Sequence, residues 1–307
     1  MLELRRLRIL HGLAQHRTVA RTAEALHLTG PAVSQHLAAL EREAGIPLLE
    51  KSGRTLAFTP AGRLLVEHAE VILDDLSAAE SALAALSENG STGTVRIAAF
   101  ASAARNLLPR IWPETTLRLI EQEPERSLTS LQRQEVDIAV VHSYSLLPRP
   151  IPIRCEERPI LEDPVLLALH PTLAQASGLT AGSPASLSAF AGHPWLVPTT
   201  DLSCHEMIRR ACGAAGFVPT VAAESADFAV LTALTAAGAG VALVPAMALP
   251  SDASDVSLHP LTEPVTRKVF ALTSLGTARR PDIHHVLDRL EQAGAEWMAA
   301  GLWTCRG

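Results

Sequence analysis

A chain of 307 residues with a formal net charge of −6, 48% hydrophobic residues and four cysteines is long enough for several packed domains and too apolar to stay disordered. Its acidic balance excludes a protein that coats nucleic acid or an anionic membrane along its whole surface. Cysteines 155, 204, 212 and 305 form no CxxC pair, and no signal peptide or bilayer-long apolar run is visible. The expected setting is cytoplasmic, with reduced thiols and no membrane contact.

Residues 18–40, TVARTAEALHLTGPAVSQHLAAL, predict two short helices around a tight turn. In the first helix Val19, Ala23 and Leu26 recur at i, i+4 and i+7, one buried stripe, and Thr18 stands where a side-chain oxygen caps the first free amides. His27 to Thr29 make the turn. In the second helix Val33, Leu37 and Leu40 form the stripe, Thr29 is the expected cap, and Pro31 falls in the first turn, where a missing amide is harmless. The opposite face carries Pro31, Gln35, Ala38 and Ala39, with Ser34 on its flank. Mostly small side chains let a backbone approach a DNA major groove and leave Gln35 as the long reader, whose amide can bond an adenine edge twice. Ser34 can contact a base or a phosphate. An ordinary helical hairpin in an all-α domain would carry the same stripes.

Residues 46–49 and 56–58 then read as two short strands joined through Lys51, Ser52, Gly53, Arg54 and Thr55, which makes a winged helix-turn-helix. Arg54 at the wing tip is placed to enter a minor groove or hold a phosphate, although a lone exposed arginine is commonly just solvated. Residues 1–63 hold nine Lys and Arg against five Asp and Glu, and the remaining residues hold 17 against 27. The positive end is where double-stranded DNA would bind, and its modest surplus asks for two copies of the module on one site.

With AVSQHLAALE, the GIPLLEK step into the wing and LAFTPAG opening the next helix, residues 1–63 resemble the DNA-binding domain of LysR-type transcriptional regulators. The family usually has Gln before the recognition-helix Pro, Phe in place of Leu49 and Arg in place of Lys51. Gly30 stands at the first of these, so one expected base contact is missing. The resemblance implies DNA contacts from Thr29, Gly30, Pro31, Ser34, Gln35, Lys51 and Arg54.

A long helix is expected over residues 60–88. Leu65, Ile72, Ala79 and Leu86 repeat every seven residues, with Ala69, Leu76 and Leu83 offset by four, as in a coiled coil. An amphipathic helix packed on its own domain would show a similar stripe. In the resembled family this linker pairs two subunits, which implies a homodimer or homotetramer held through Leu65, Ile72, Leu76, Leu83 and Leu86. Residues 87–93, SENGSTG, read as a hinge.

Beyond it, apolar strand-like runs at residues 94–99, 116–120, 136–141, 164–170, 195–198, 220–223, 241–244 and 267–273 alternate with helix-like segments, the pattern of mostly parallel sheets covered by helices. TVRIAAF followed by LLP, the EVDIAVV strand and TAAGAGVALVP at 235–245 resemble the family's effector domain, with an unusually short segment between Leu108 and Leu119. That resemblance implies a two-lobed α/β effector-binding domain of periplasmic-binding-protein type. The expected division is residues 1–63 for DNA, 64–90 for the dimerising linker and 91–307 for the effector. Lobe I would take 91–161 and 266–307, and lobe II 162–265.

Other chemistry is weakly represented. Gly238, Ala239 and Gly240 leave a helix and enter a strand, the reverse of a dinucleotide site, and read as a helix C-cap. There is no P-loop, no GxSxG and no HExxH. Neither catalytic activity, nor a metal, nor a cofactor is expected. Cys204 lies near a helix start, where a thiol pKa can fall, so a redox- or metal-responsive regulator using Cys204 and Cys212 is an alternative. An α/β enzyme or binding protein with a helical appendage is another. The expected effector site lies between the lobes, with Ser102 at a helix start, His142 and Ser143 after one strand, and Thr199, Thr200 and Ser203 after another. Free helix amides favour an anionic effector. RNA polymerase at target promoters is the further partner that the resemblance implies.

Overall fold

The computed structural model describes residues 1–52, 55–86, 94–152, 154–250, 255–275 and 277–301. They divide into two compact units. One is residues 1–93 with 130–137 and 273–284, and the other is 94–129, 138–272 and 285–307.

In the first unit α1 (Leu4–His16), which precedes the segment singled out above, packs with α2 (Val19–Ala25) and α3 (Gly30–Ala44). Leu7, Leu10 and Leu13 of α1 meet Ala23, Val33, Leu37 and Leu40 in one buried cluster, each large aliphatic side chain contributing about 1.5–3 kcal/mol by leaving water. Both caps form: Thr18 Oγ1 accepts from Arg21 N at 3.3 Å and Thr29 Oγ1 from Ala32 N at 3.4 Å. The chain reverses through His27 at φ 53°.

The wing strands are β1 (Leu49–Ser52) and β2 (Thr55–Phe58), antiparallel with Leu49 opposite Phe58. The first strand thus begins where the sequence pattern placed its end, and Lys51 and Ser52 belong to the strand rather than the turn. The reason is local: Pro47 offers no amide, and the amides of Leu48 and Leu49 are taken by Glu41 Oε1 of α3, each at 2.9 Å, before the ladder starts. Thr59 then opens α4 (Pro60–Leu86) by accepting from Gly62 N at 3.0 Å, while its hydroxyl donates to Pro47 O at 2.8 Å. Gly62 is required because a Cβ there would sit 2.0 Å from Leu48 O. The hinge expected at residues 87–93 lies outside the described residues.

The second unit is built on a seven-stranded sheet. Its strands are β3 (Val95–Ala99), β4 (Leu117–Glu121), β5 (Ile138–Tyr144), β6 (Cys155–Leu169), β9 (Ala242–Pro245), β10 (Ser257–Pro260) and β11 (Thr266–Ser274). Their order is β10-β6-β11-β5-β3-β4, with β9 also on β6. β3 is parallel to β4 and β5, but β5 with β11, and β6 with both β9 and β10, run antiparallel. The sheet is therefore mixed rather than mostly parallel. β7 (Pro194–Val197) and β8 (Thr220–Glu224) form a separate parallel pair.

Strand β6 runs unbroken through residue 161, the expected boundary between the first stretch of lobe I and lobe II. Pro159 and Pro164 remove ladder donors without ending an extended backbone. Here Val165 N bonds Val265 O at 2.9 Å, so the outgoing and returning chains lie side by side. The short stretch after β3 is filled by α5 (Ala101–Asn106), α6 (Leu108–Ile111) and a single 3-10 turn before the outer strand β4. The remaining helices are α7 (Pro124–Gln132), α8 (Pro171–Ala176), α9 (Ser203–Ala214), α10 (Phe228–Ala236) and α11 (Pro281–Ala299). After α10, Gly238 adopts φ 76° and a Cβ on Gly240 would meet Pro194 O at 2.5 Å. These glycines end a helix and admit a neighbouring strand.

Candidate functional site

Helix α3 exposes Pro31, Ser34, Gln35 and Ala38 opposite its buried Val33, Leu37 and Leu40, with Ala39 half-buried. Thr29 is exposed while its hydroxyl caps the helix. Around Gly30 the nearest atom to an added Cβ would be Val19 Cγ1 at 3.9 Å, ordinary contact, so packing does not demand glycine there. Its missing side chain alters only the outward surface. Glu41 joins this helix to the wing through the two amide bonds already described, a link with no signature in helical spacing. Arg6 is engaged by Glu3 and Glu43 and Arg63 by Phe58 O, so part of the positive surplus holds the module together. Arg54 and the side chain of Lys51 lie outside the described residues.

Along α4 the apolar stripe divides. Ala69 is buried in the module's own core and Leu65 packs against it, whereas Ile72 is 43% exposed and Leu83 68%. Leu76 is half-buried, and the Leu86 side chain lies outside the described residues. The first turns of the helix therefore serve the module itself, and the apolar surface left outward begins near Ile72.

In the second unit a cleft of about 380 Å³ opens where the end of β3, α5, β5, the start of α9, the start of α10 and β11 converge. Ser102 and His142 line it, together with Phe100, Arg105, Glu121, Glu123, Tyr144, Cys204, Asp227 and Arg267. Ser143, Thr199, Thr200 and Ser203 are not among its lining residues. β5 continues to Tyr144, so His142 and Tyr144 share one strand face and Ser143 points to the other. On the second wall the chain presents Leu202 and Cys204 in place of the three hydroxyls. Ser203 is half-buried, and its Oγ finds no partner among the described residues.

The floor of the cleft is a buried ion pair between chain-distant residues. Arg267, 2% exposed, donates from Nε to Asp163 Oδ2 at 2.9 Å and from Nη2 to Ser102 Oγ at 3.2 Å, and stacks 5.1 Å over the Phe100 ring. Asp163 is fully buried and also accepts from Met247 N at 3.0 Å. Burial pushes its carboxyl up, while Arg267 and the Met247 amide oppose the rise. His142 packs edge-on against Phe100 at 4.6 Å. Burial first, then Arg267 and Arg149, hold its imidazole well below the ordinary histidine value, so it is neutral at pH 7. Its Nδ1 has no hydrogen-bond partner among the described residues.

Carboxylates outnumber arginines along the cleft. Arg267 is neutralised by Asp163, and Arg105 donates to the carbonyls of Met247 and Leu249 at 3.1 and 2.9 Å. Asp227 caps α10 through Ala229 N at 2.8 Å. The carboxylates of Glu121 and Glu123 make no hydrogen bond or ion pair among the described residues, and the Glu123 carboxyl is raised by burial and then by Glu125. Helix α5, where the sequence placed anion-binding amides, has only six residues, too short to build a substantial dipole.

The thiols also differ from expectation. Burial pushes both Cys204 and Cys212 up to about 12, because an apolar surround penalises the thiolate more than the start of α9 favours it. Both belong to one buried cluster. Among the described residues no group of three His, Cys, Asp or Glu is arranged to hold a metal, and no helix is long and apolar enough to cross a membrane.

Comparison with known proteins agrees with both halves. Residues 4–63 match the family model of the bacterial regulatory helix-turn-helix protein, lysR family, and residues 88–295 match that of the LysR substrate binding domain. The DNA-binding transcriptional dual regulator OxyR of Escherichia coli K12 is 26% identical over 296 residues, covering 88% of this chain and 88% of that protein. The HTH-type transcriptional regulator BudR of Raoultella terrigena is 31% identical over 280 residues, covering 88% and 94%. Among solved structures, a full-length OxyR variant from Pseudomonas aeruginosa superposes with a TM-score of 0.64 at 20% identity, covering 96% of this chain and 95% of that one. Full-length CbnR in complex with its target DNA gives 0.51 at 22%, covering 96% and 99%.

Proposed function

The chain belongs to the LysR family of transcriptional regulators, and from that premise we propose how its parts divide the work of an effector-modulated, DNA-binding regulator. Residues 1–63 read double-stranded DNA, with Ser34 and Gln35 at the bases, Pro31 and Gly30 permitting close approach, and Thr29, Lys51 and Arg54 toward the backbone. Residues 64–90 join two copies through Ile72, Leu76, Leu83 and Leu86, with Leu65 shared between that seam and the module's core. Residues 91–307 take the effector, lobe I comprising 91–161 and 266–307 and lobe II 162–265. The dimer, or a tetramer of two dimers, acts on RNA polymerase at its promoters in the cytoplasm. It performs no chemical reaction of its own.

One observation carries the DNA reading: the exposed, compact face of α3 bearing Ser34, Gln35 and Ala38 above a fully buried stripe, with both flanking caps formed. The complex of CbnR with its target DNA supports the same role. The cleft holding Ser102 and His142 supports effector binding, because a concave site with a few converging polar groups is where small molecules bind. A gel shift on DNA from upstream of the chain's own gene tests the reading. Gln35→Ala should weaken specific binding by about 1–3 kcal/mol and leave competition by random DNA unchanged. A protected footprint that this substitution leaves intact would remove α3 as the reading surface.

A further inference from the structure

We propose that the cleft accepts a cationic, hydrogen-bond-donating effector, a small amine or guanidine carrying an apolar body, rather than a carboxylate. The inference rests on the cleft being the effector site and adds the chemistry of what enters it. Two carboxylates that line the cleft, Glu121 and Glu123, have neither a hydrogen bond nor an ion pair among the described residues, while both lining arginines are already engaged, Arg267 by Asp163 and Arg105 by two backbone carbonyls. An entering carboxylate would meet two unpaired like charges, and the lining cation not matched by a carboxylate, Arg105, is held back by Met247 O and Leu249 O. An entering ammonium meets two acceptors, and charge-assisted hydrogen bonds are the strong ones.

A second observation is independent of the carboxylates. His142, 4% exposed and lining the same cleft, has a buried Nδ1 with no partner among the described residues. Buried ring nitrogens are normally paired, and in one tautomer of the neutral ring this atom is an acceptor that a ligand N–H satisfies. Phe100, Phe228, Leu202 and Ala248 supply the apolar wall against which the ligand body is removed from water. The volume of about 380 Å³ suits a molecule of metabolite size.

The test uses the purified full chain with putrescine, agmatine and benzylamine as probes, and succinate and benzoate as their anionic counterparts, read by calorimetry and thermal shift. At least one amine should bind saturably and raise the melting temperature, and Glu123→Gln should weaken it about ten-fold or more, the loss of one charge-assisted bond. Glu263→Gln, on a separate cavity, should leave binding unchanged. The cationic assignment is overturned if no amine binds at about ten millimolar, if Glu123→Gln leaves amine binding intact, or if the carboxylates bind more tightly. Ala101→Trp separates this failure from that of the underlying reading, since residue 101 is exposed and lines the cleft, where an indole would fill it. Carboxylate binding abolished by Ala101→Trp would leave the cleft as the effector site and refute only its charge. Probe binding that survives Ala101→Trp would refute the cleft itself.

Discussion

Replacing Arg267 with methionine should be among the most destabilising single changes available to the second unit. The guanidinium is 2% exposed, bonds Asp163 and Ser102, and lies over Phe100. Methionine fills much of the volume but leaves Asp163, itself fully buried, with the Met247 amide and no countercharge. Breaking a buried pair from one side typically costs about 3–5 kcal/mol, to which the lost cation–π contact adds about 0.5–2 kcal/mol. The double variant Arg267→Met with Asp163→Asn removes the stranded charge and keeps an acceptor for Met247 N, so it should recover most of that loss. Urea unfolding of both variants and the parent, followed by tryptophan fluorescence from buried Trp195, measures the difference by linear extrapolation. The pH dependence gives a second check. Once Arg267 is gone burial acts on Asp163 unopposed by the guanidinium, its folded pKa rises further, and the penalty of the single variant shrinks as acid protonates it. A single variant that loses under about 1 kcal/mol, or a double variant no better than the single, would show that the pair is not what holds the cleft floor.

Glu123 carries a carboxyl raised by burial and by Glu125, Glu121 and Asp201 against the attraction of Arg267. A raised folded pKa means stability fully present below the ordinary glutamate range and lost as pH rises through the folded value, so Glu123→Gln should raise the melting temperature at pH 7 and converge with the parent near pH 4; parallel curves would contradict it. Gly62→Ala should lose about 1–3 kcal/mol by driving a methyl into Leu48 O, as overpacking does, and weaken DNA binding in gel shifts. Gly213→Ala, with nothing within 4 Å in helix α9, should instead gain about 0.5–1 kcal/mol; equal melting curves for the two would refute the packing argument. The buried thiols of Cys204 and Cys212 should resist iodoacetamide at pH 8 until urea exposes them, and rapid labelling of either in the folded chain, located by peptide mass, would restore the redox alternative.

Sequence spacing determined what depends on near neighbours. The α2–turn–α3 unit follows from the Val33, Leu37 and Leu40 period and from caps at Thr18 and Thr29, because helix periodicity and capping act within four residues. The C-cap at Gly238 was legible for the same reason. The start of the wing was not, since Glu41 reaches forward to the amides of Leu48 and Leu49 from the preceding helix. A heptad stripe likewise cannot say which partner covers it, and only packing assigned Ala69 to the module's own core and left Leu83 outward.

The cleft depended most on tertiary structure. Ser102 and His142 were reachable from strand ends, but the strand's continuation to Tyr144 sent Ser143 to the opposite face, and the second wall came from Leu202 and Cys204 instead of neighbouring hydroxyls. Asp163 and Arg267 meet across 104 positions, and no period or motif encodes such a meeting. Whether an arginine is free to hold an anion or already neutralised is settled by which strands lie side by side. The free amides expected at the helix start beside Ser102 suggested an anionic effector, while the packed sheet pairs Arg267 with Asp163 and leaves the Glu121 and Glu123 carboxylates without a hydrogen bond or ion pair among the described residues.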